Sequence, residues 1–307
     1  MSLVNTKEIL LDAHAECYAV GAFNISNMET AQAIIEGAIE LNSPVIIEVS
    51  ESAIKYMGMN VACGMVRALV KDISIPVALH LDHGRNWEVI SRAIDSGFTS
   101  VMIDASDKPF AENVEITKKV VEKAHQMGVS VEAEIGRLPG SEDDVNVEER
   151  EAFLVNPNDA QKFVEMTGID FLAPAIGTSH GAFKFKGDST LDYDRLREVK
   201  EKTDIPLVLH GASSVRDTLI EEAERYGLQL KGAKGLDDNS LKQAIRDGIN
   251  KVNTDTDIRI AFTTAVRRVL HNDSTVFDPR KLLGPAREYM KNVVKERIEI
   301  LGSENRA

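Results

Sequence analysis

The chain has 307 residues, of which 43% are hydrophobic and 28% charged, close to the globular average and enough to bury a large core. Lys plus Arg number 36 against 49 Asp plus Glu, and a net charge of -13 repels phosphodiester backbones and anionic lipid, which excludes nucleic acid and membrane surfaces as expected partners. Two cysteines, Cys17 and Cys63, cannot build a disulfide framework and read as core thiols; with no signal peptide and no long apolar run, the sequence predicts a soluble, cytoplasmic protein.

An acidic amphipathic helix opens the chain. After it, short and nearly continuous apolar runs lie at 18–23, 45–49, 77–81, 100–103, 130–135, 171–176, 206–209 and 251–253. Runs that are apolar on both faces suit buried parallel strands. Between them, 28–41, 87–96, 111–127, 160–167 and 219–226 carry helical periodicity. Asn156-Pro157 and Asp192 mark helix starts, and Gly97, Gly128, Gly168 and Gly227 mark helix ends. This alternation, unbroken by any linker, predicts a single domain over 1–307: a (β/α)8 TIM barrel with one or two additional C-terminal helices over 279–301. An open doubly wound sheet is the alternative, but no G-x-G-x-x-G follows any strand.

In a TIM barrel the chemistry sits where strands end and βα loops begin. The predicted strands end at Asn24, Ser50, Asp82-His83-Gly84, Asp104, Glu134-Ile135-Gly136, the 177–181 segment with His180, the 210–214 segment with His210, and Asn253-Thr254-Asp255-Thr256-Asp257. One histidine there would read as an ordinary satisfied polar group. Three, each followed by glycine (His83, His180, His210), together with carboxylates from other strands, form the donor set of a divalent metal with an open position. His80 shares the strand face of Asp82 and reads as a supporting residue inside the barrel. Glycines and hydroxyls after the seventh and eighth strands suit phosphate. Lys184 and Arg259 stand where a second anion is served, although each alone reads equally well as a surface charge. The acidic stretch around Glu142 reads as a solvated loop. Lys251 is placed at the start of the eighth strand, the wrong end for a Schiff-base lysine.

The runs GAFNIS, LHLDHG, VMIDAS, VEAEIG, AIGTSHGAFKFKG, LVLHGASSV and KVNTDTDIRIAF occur in the order and spacing of the metal-dependent (class II) fructose-1,6-bisphosphate aldolases. The chain resembles that family over essentially its whole length, including FDPRKLLGPAREYMKNVVKERIEILGS, typical of one subgroup. The resemblance implies a zinc-dependent lyase that reversibly splits fructose 1,6-bisphosphate into dihydroxyacetone phosphate and glyceraldehyde 3-phosphate. His83, His180 and His210 resemble the zinc ligands, with Glu134 in or beside that set and Asp104 near an alternative metal position. Asp82 is similar to the acid/base that serves the C4 hydroxyl, and Asn253 to the residue that helps hold the enediolate. Glu142 is similar to a loop carboxylate that moves the dihydroxyacetone-phosphate proton, a role that replaces the solvated-loop reading. Gly181, Gly211, Ser213, Asp255 and Thr256 resemble positions holding the ketose-side phosphate and substrate hydroxyls. Asn24, Ser50, Lys184 and Arg259 resemble residues around the distal end. Arg280 matches an arginine that reaches the distal phosphate from a neighbouring subunit, so a homodimer or homotetramer is implied, as is a monovalent cation (Na+ or K+) near Gly181 and Gly211.

The departures from the family pattern are Ser26, Phe183, Ala212, Pro139, Ser141 and, directly after the Asp82-His83 pair, Arg85, where a small residue is common. Three alternatives stay open at this point. Tagatose-1,6-bisphosphate aldolase shares the fold and the metal. A barrel metallohydrolase has a use for the same donors, and a non-catalytic relative needs only to bind or adhere.

Overall fold

The computed structural model describes residues 3–137, 140–142, 145–147, 153–178, 191–230 and 232–307, with the side chains of 140–142 and 145–147 excepted. The apolar runs form β1 (Val20–Asn24), β2 (Val45–Ser50), β3 (Val77–Gly84), β4 (Ser100–Ile103), β5 (Ser130–Ile135), β8 (Phe171–Pro174), β9 (Leu207–Leu209) and β10 (Ile249–Thr254). They close into a parallel barrel in the order β1-β10-β9-β8-β5-β4-β3-β2, so the predicted TIM barrel is the fold observed. Between β5 and β8 a short antiparallel ribbon, β6 (Gly140–Glu142) with β7 (Val145–Val147), lies outside the predicted pattern.

The helices follow the strands as α1 (Thr6–Glu16), α2 (Met28–Glu40), α3 (Glu51–Met57), α4 (Met59–Val70), α5 (Trp87–Ser96), α6 (Phe110–Gln126), α7 (Pro157–Thr167), α8 (Tyr193–Thr203), α9 (Asp217–Arg225), α10 (Asp238–Arg246), α11 (Thr256–Asn272) and α12 (Pro279–Leu301). The predicted capping residues act as expected. Asn156 accepts from the amides of Asn158 and Asp159, Asp192 accepts from Arg195 N, and Gly97 and Gly168 end their helices in the left-handed conformation. The predicted C-terminal addition is one long helix, α12. It packs against α2 at Gly37, where a Cβ would stand 3.1 Å from Val294 Cγ1.

The barrel interior has two halves. At the lower end, Val20, Ala22, Ile46, Ala78, Phe171, Ala173 and Val208 pack on one another and on Ile9, Leu10 and Ala13 of α1, which closes the barrel floor. Cys63 is buried as expected. Cys17 is a correction: it is exposed, because it ends α1 at the surface as a left-handed C-cap (φ 56°). Among the described residues, no helix is long and apolar enough to cross a membrane.

Candidate active site

The upper half of the barrel is ionic. Period-two alternation turns Glu48 on β2, His80 and Asp82 on β3, Glu132 and Glu134 on β5, and Lys251 and Asn253 on β10 towards one another, all of them buried. Lys251 Nζ stands 2.6 Å from Glu48 Oε1 and 2.9 Å from Glu132 Oε2, and donates to Asn253 Oδ1 at 2.8 Å. The lysine therefore lies inside β10 at the centre of the network, not at the edge where the sequence placed it. A fully buried ammonium between two carboxylates is held protonated: burial opposes the charge, but Glu132 and Glu48 push its pKa upward. It has no free base to offer a carbonyl. One ammonium cannot neutralise both carboxylates. Burial would raise Glu132, but Lys251 and His210 hold it well below the usual range. Burial and the Asp82 charge push Glu48 up to about 8.

Asp82 and His83 are adjacent in sequence, and successive strand residues normally face opposite sides. The chain solves this with an irregularity in β3: its register with β4 shifts between Leu81 and Gly84, and His83 takes a left-handed φ of 45°. Gly84 is required there, since a Cβ would lie 2.5 Å from Met102 O. Asp82 is fixed by two amides, Asn24 Nδ2 to Oδ2 at 2.9 Å and Asn253 Nδ2 to Oδ1 at 3.2 Å.

His83 and His210 meet edge to face with ring centroids 4.7 Å apart. His210 Nε2 lies 2.8 Å from Glu132 Oε1, and its Nδ1 lies 3.1 Å from Glu134 Oε2. Burial disfavours the charged ring, yet these two carboxylates raise its pKa to about 10. Asp82, His83 and His210 each offer a ligand atom, all within 4.8 Å of one another. The two imidazoles on rigid strand ends suit a divalent ion, with Asp82 standing beside it on the two amides that hold its oxygens, and the charge that Glu132 and Glu134 balance with an imidazolium proton is what such an ion would replace. Asp104 is brought to the same place, but its Oδ2 faces His83 Nδ1 at 3.4 Å. His180, Gly181 and Lys184 lie outside the described residues, as does the side chain of Glu142.

The loop after β9 is shaped from behind. Asp257 accepts the amides of Ser214 and Val215 at 2.9 and 2.7 Å. Arg297 of α12, only 2% exposed, donates to Ser214 Oγ and to Ala212 O. Those amides are spent, so an anion is left the Gly211–Ser213 side of the loop, where Gly211 has φ 61°. Ser213 Oγ accepts from Asp255 N at 3.4 Å, and Thr256 begins α11, whose N-terminal amides favour an anion. A cleft of about 390 Å³ opens beside this point, lined by Asn24, Ser50, Tyr56, Asp255 and Arg259 among others. Arg259 forms a two-pronged pair with Asp255. Arg280 stands apart, its side chain 90% exposed and paired with Asp278.

Sequence reasoning missed Glu48, Glu132 and the role of Lys251, because polar residues inside apolar strand runs carry no local signal. It also missed Arg297, which reads as the solvent face of an amphipathic helix.

Comparison with known proteins identifies the family. The family model described as fructose-bisphosphate aldolase class-II matches residues 4–306. A fructose-bisphosphate aldolase of Helicobacter pylori is 55% identical over 305 residues, covering 99% of both chains. One of Thermus caldophilus is 52% identical over 305 residues, covering 99% of this chain and all of that one. Among solved structures, the YdjI aldolase of Escherichia coli K12 superposes with a TM-score of 0.82 at 30% identity, covering 99% of each chain.

Proposed function

The chain belongs to the class II fructose-bisphosphate aldolase family, and on that premise we propose that it catalyses the reversible cleavage of fructose 1,6-bisphosphate to dihydroxyacetone phosphate and glyceraldehyde 3-phosphate. The observation that carries the reading is the convergence of Asp82, His83 and His210 within 4.8 Å at the barrel mouth, beside a loop and helix end suited to phosphate.

We assign zinc to His83, His210 and His180, with Glu134 beside them. Held there, such an ion would supply Lewis acidity for the negative charge that develops at the C2 carbonyl on C3–C4 cleavage. The remaining work falls to the chain. Asp82, oriented by Asn24 and Asn253, takes the C4 hydroxyl proton during cleavage and returns it in synthesis. Asn253, itself held by Lys251, presents an amide towards the oxygens of the three-carbon fragment. Gly211, Ser213, Asp255 and Thr256, with Gly181, hold the ketose-side phosphate. Asn24, Ser50, Lys184 and Arg259 surround the distal end. Two phosphates far from the breaking bond supply the binding energy that positions it. Glu142 is assigned the proton transfer on dihydroxyacetone phosphate.

A sodium or potassium ion near Gly181 and Gly211 belongs to the same reading. So does a homodimer or homotetramer, in which the exposed Arg280 reaches the distal phosphate of a neighbour. A cytoplasmic location completes it.

The test is a coupled assay of fructose- and tagatose-1,6-bisphosphate cleavage on one preparation, with EDTA and then with zinc restored. Cleavage of the fructose ester that EDTA abolishes and zinc restores is the expected result. Faster cleavage of tagatose would move the assignment to the C4 epimer, and no cleavage of either by folded, zinc-loaded protein would overturn it.

A further inference from the structure

Arg85 departs from the family pattern at the site itself, two residues after His83. Its Nη2 donates to Asp104 Oδ2, the same oxygen that faces His83 Nδ1 at 3.4 Å. The other oxygen, Oδ1, accepts from Ser106 N at 3.2 Å and from Ser106 Oγ at 2.7 Å. The Asp104 side chain is 2% exposed and that of Arg85 38%, so the guanidinium covers the carboxylate from the solvent side. The position of Arg85 is itself fixed, because Glu51 Oε1 accepts both Arg85 N at 2.8 Å and Asn86 N at 2.9 Å.

We propose that Arg85 is a positioning residue that reserves Asp104 for His83 and keeps that carboxylate out of the metal's coordination. The inference rests on the metal-aldolase reading above. A carboxylate on one ring nitrogen of a histidine fixes its tautomer and aims the other nitrogen at the metal. Asp104 then acts as an orienting group rather than as a ligand. An arginine is suited to enforcing this, since it stays charged at every working pH and its planar head matches a carboxylate. It cancels the charge that would draw Asp104 to a neighbouring dication. With a small residue at position 85 the carboxylate keeps its full charge and has only His83 and Ser106 to hold it, so it turns to the ion.

The experiment is a titration of chelator-stripped, full-length protein with Co2+ against a competing chelator, read together with the visible cobalt spectrum. Wild type is expected to bind with the intense bands of a low-coordinate ion. Arg85→Thr is expected to bind about tenfold tighter, the scale on which outer-shell partners act, with the weaker bands of a higher-coordinate ion. Arg85→Lys, which keeps the cation, stays near wild type. Asp104→Asn binds about tenfold more weakly because His83 loses its orienting partner. The double variant Arg85→Thr/Asp104→Asn matches Asp104→Asn, since Arg85 acts through Asp104. Wild-type affinity and spectrum in Arg85→Thr would overturn the proposal, as would a shift that persists when Asp104→Asn is added. Wild-type protein that takes up no cobalt would instead overturn the metal-aldolase reading, and the role of Arg85 with it.

Discussion

The two halves of the barrel interior are built on the same strands by the same alternation, yet they hold together differently. Within two residues β1 passes from Ala22 to Asn24, β2 from Ile46 to Glu48, and β3 from Ala78 to His80. Below the boundary, contact is non-directional, and each side chain contributes roughly its buried area. Above it, each buried charge costs desolvation that only specific partners offset. Lys251 bridges Glu48 and Glu132, His210 lies between that same Glu132 and Glu134, and Asp82 is held by two amides. The lower half tolerates approximation, whereas the upper half is fixed in geometry because its charges are stable only when paired. That fixity is what a proton-transfer site needs.

The largest expected effect lies in the upper half and is chemical. Asp82→Asn should lower cleavage by about 10²–10⁴-fold while metal content and thermal midpoint stay close to wild type. A rate within a few-fold of wild type would remove Asp82 from proton transfer. Next is Lys251→Met, which leaves Glu48 and Glu132 buried without their cation and should cost about 3–5 kcal/mol of stability, measured by denaturant unfolding of the metal-free protein.

A pH dependence comes third. In metal-free protein the two flanking carboxylates let His210 keep its proton up to about 10, against about 6.5 for an unperturbed histidine. The folded state therefore holds the extra proton between those values. This contribution to stability is complete below pH 6.5 and is lost as pH rises through 10. Thermal midpoints of chelated protein should fall across that window, and metal-loaded protein should fall less, because the ion stands in for the proton. Equal slopes would argue against a metal at His210. The smallest effect belongs to the lower half: Ile46→Val should cost about 0.5–1.5 kcal/mol and leave cleavage unchanged. A loss there as large as for Lys251→Met would erase the distinction between the halves.

The fold was legible because barrel strands buried on both faces read as apolar runs and the helices between them carry their own caps. The strand ends were legible because Asp82, His83, His210 and Asn253 interrupt those runs with groups that a core does not need. Three things were hidden. The turn that aims His83 beside Asp82 depends on a left-handed residue whose only trace in the sequence is Gly84. The Glu48–Lys251–Glu132 network joins residues far apart in sequence, so no local pattern announces it. The clamp of Arg297 on the loop after β9 comes from the last helix, where a charged residue at helical spacing looks solvent-facing.

The account stands most directly on metal content and cleavage rate measured on the same samples of wild type, His83→Ala and His210→Ala. It predicts that each variant loses bound metal and fructose-1,6-bisphosphate cleavage together. A variant that keeps its metal and turns over at the wild-type rate would contradict it.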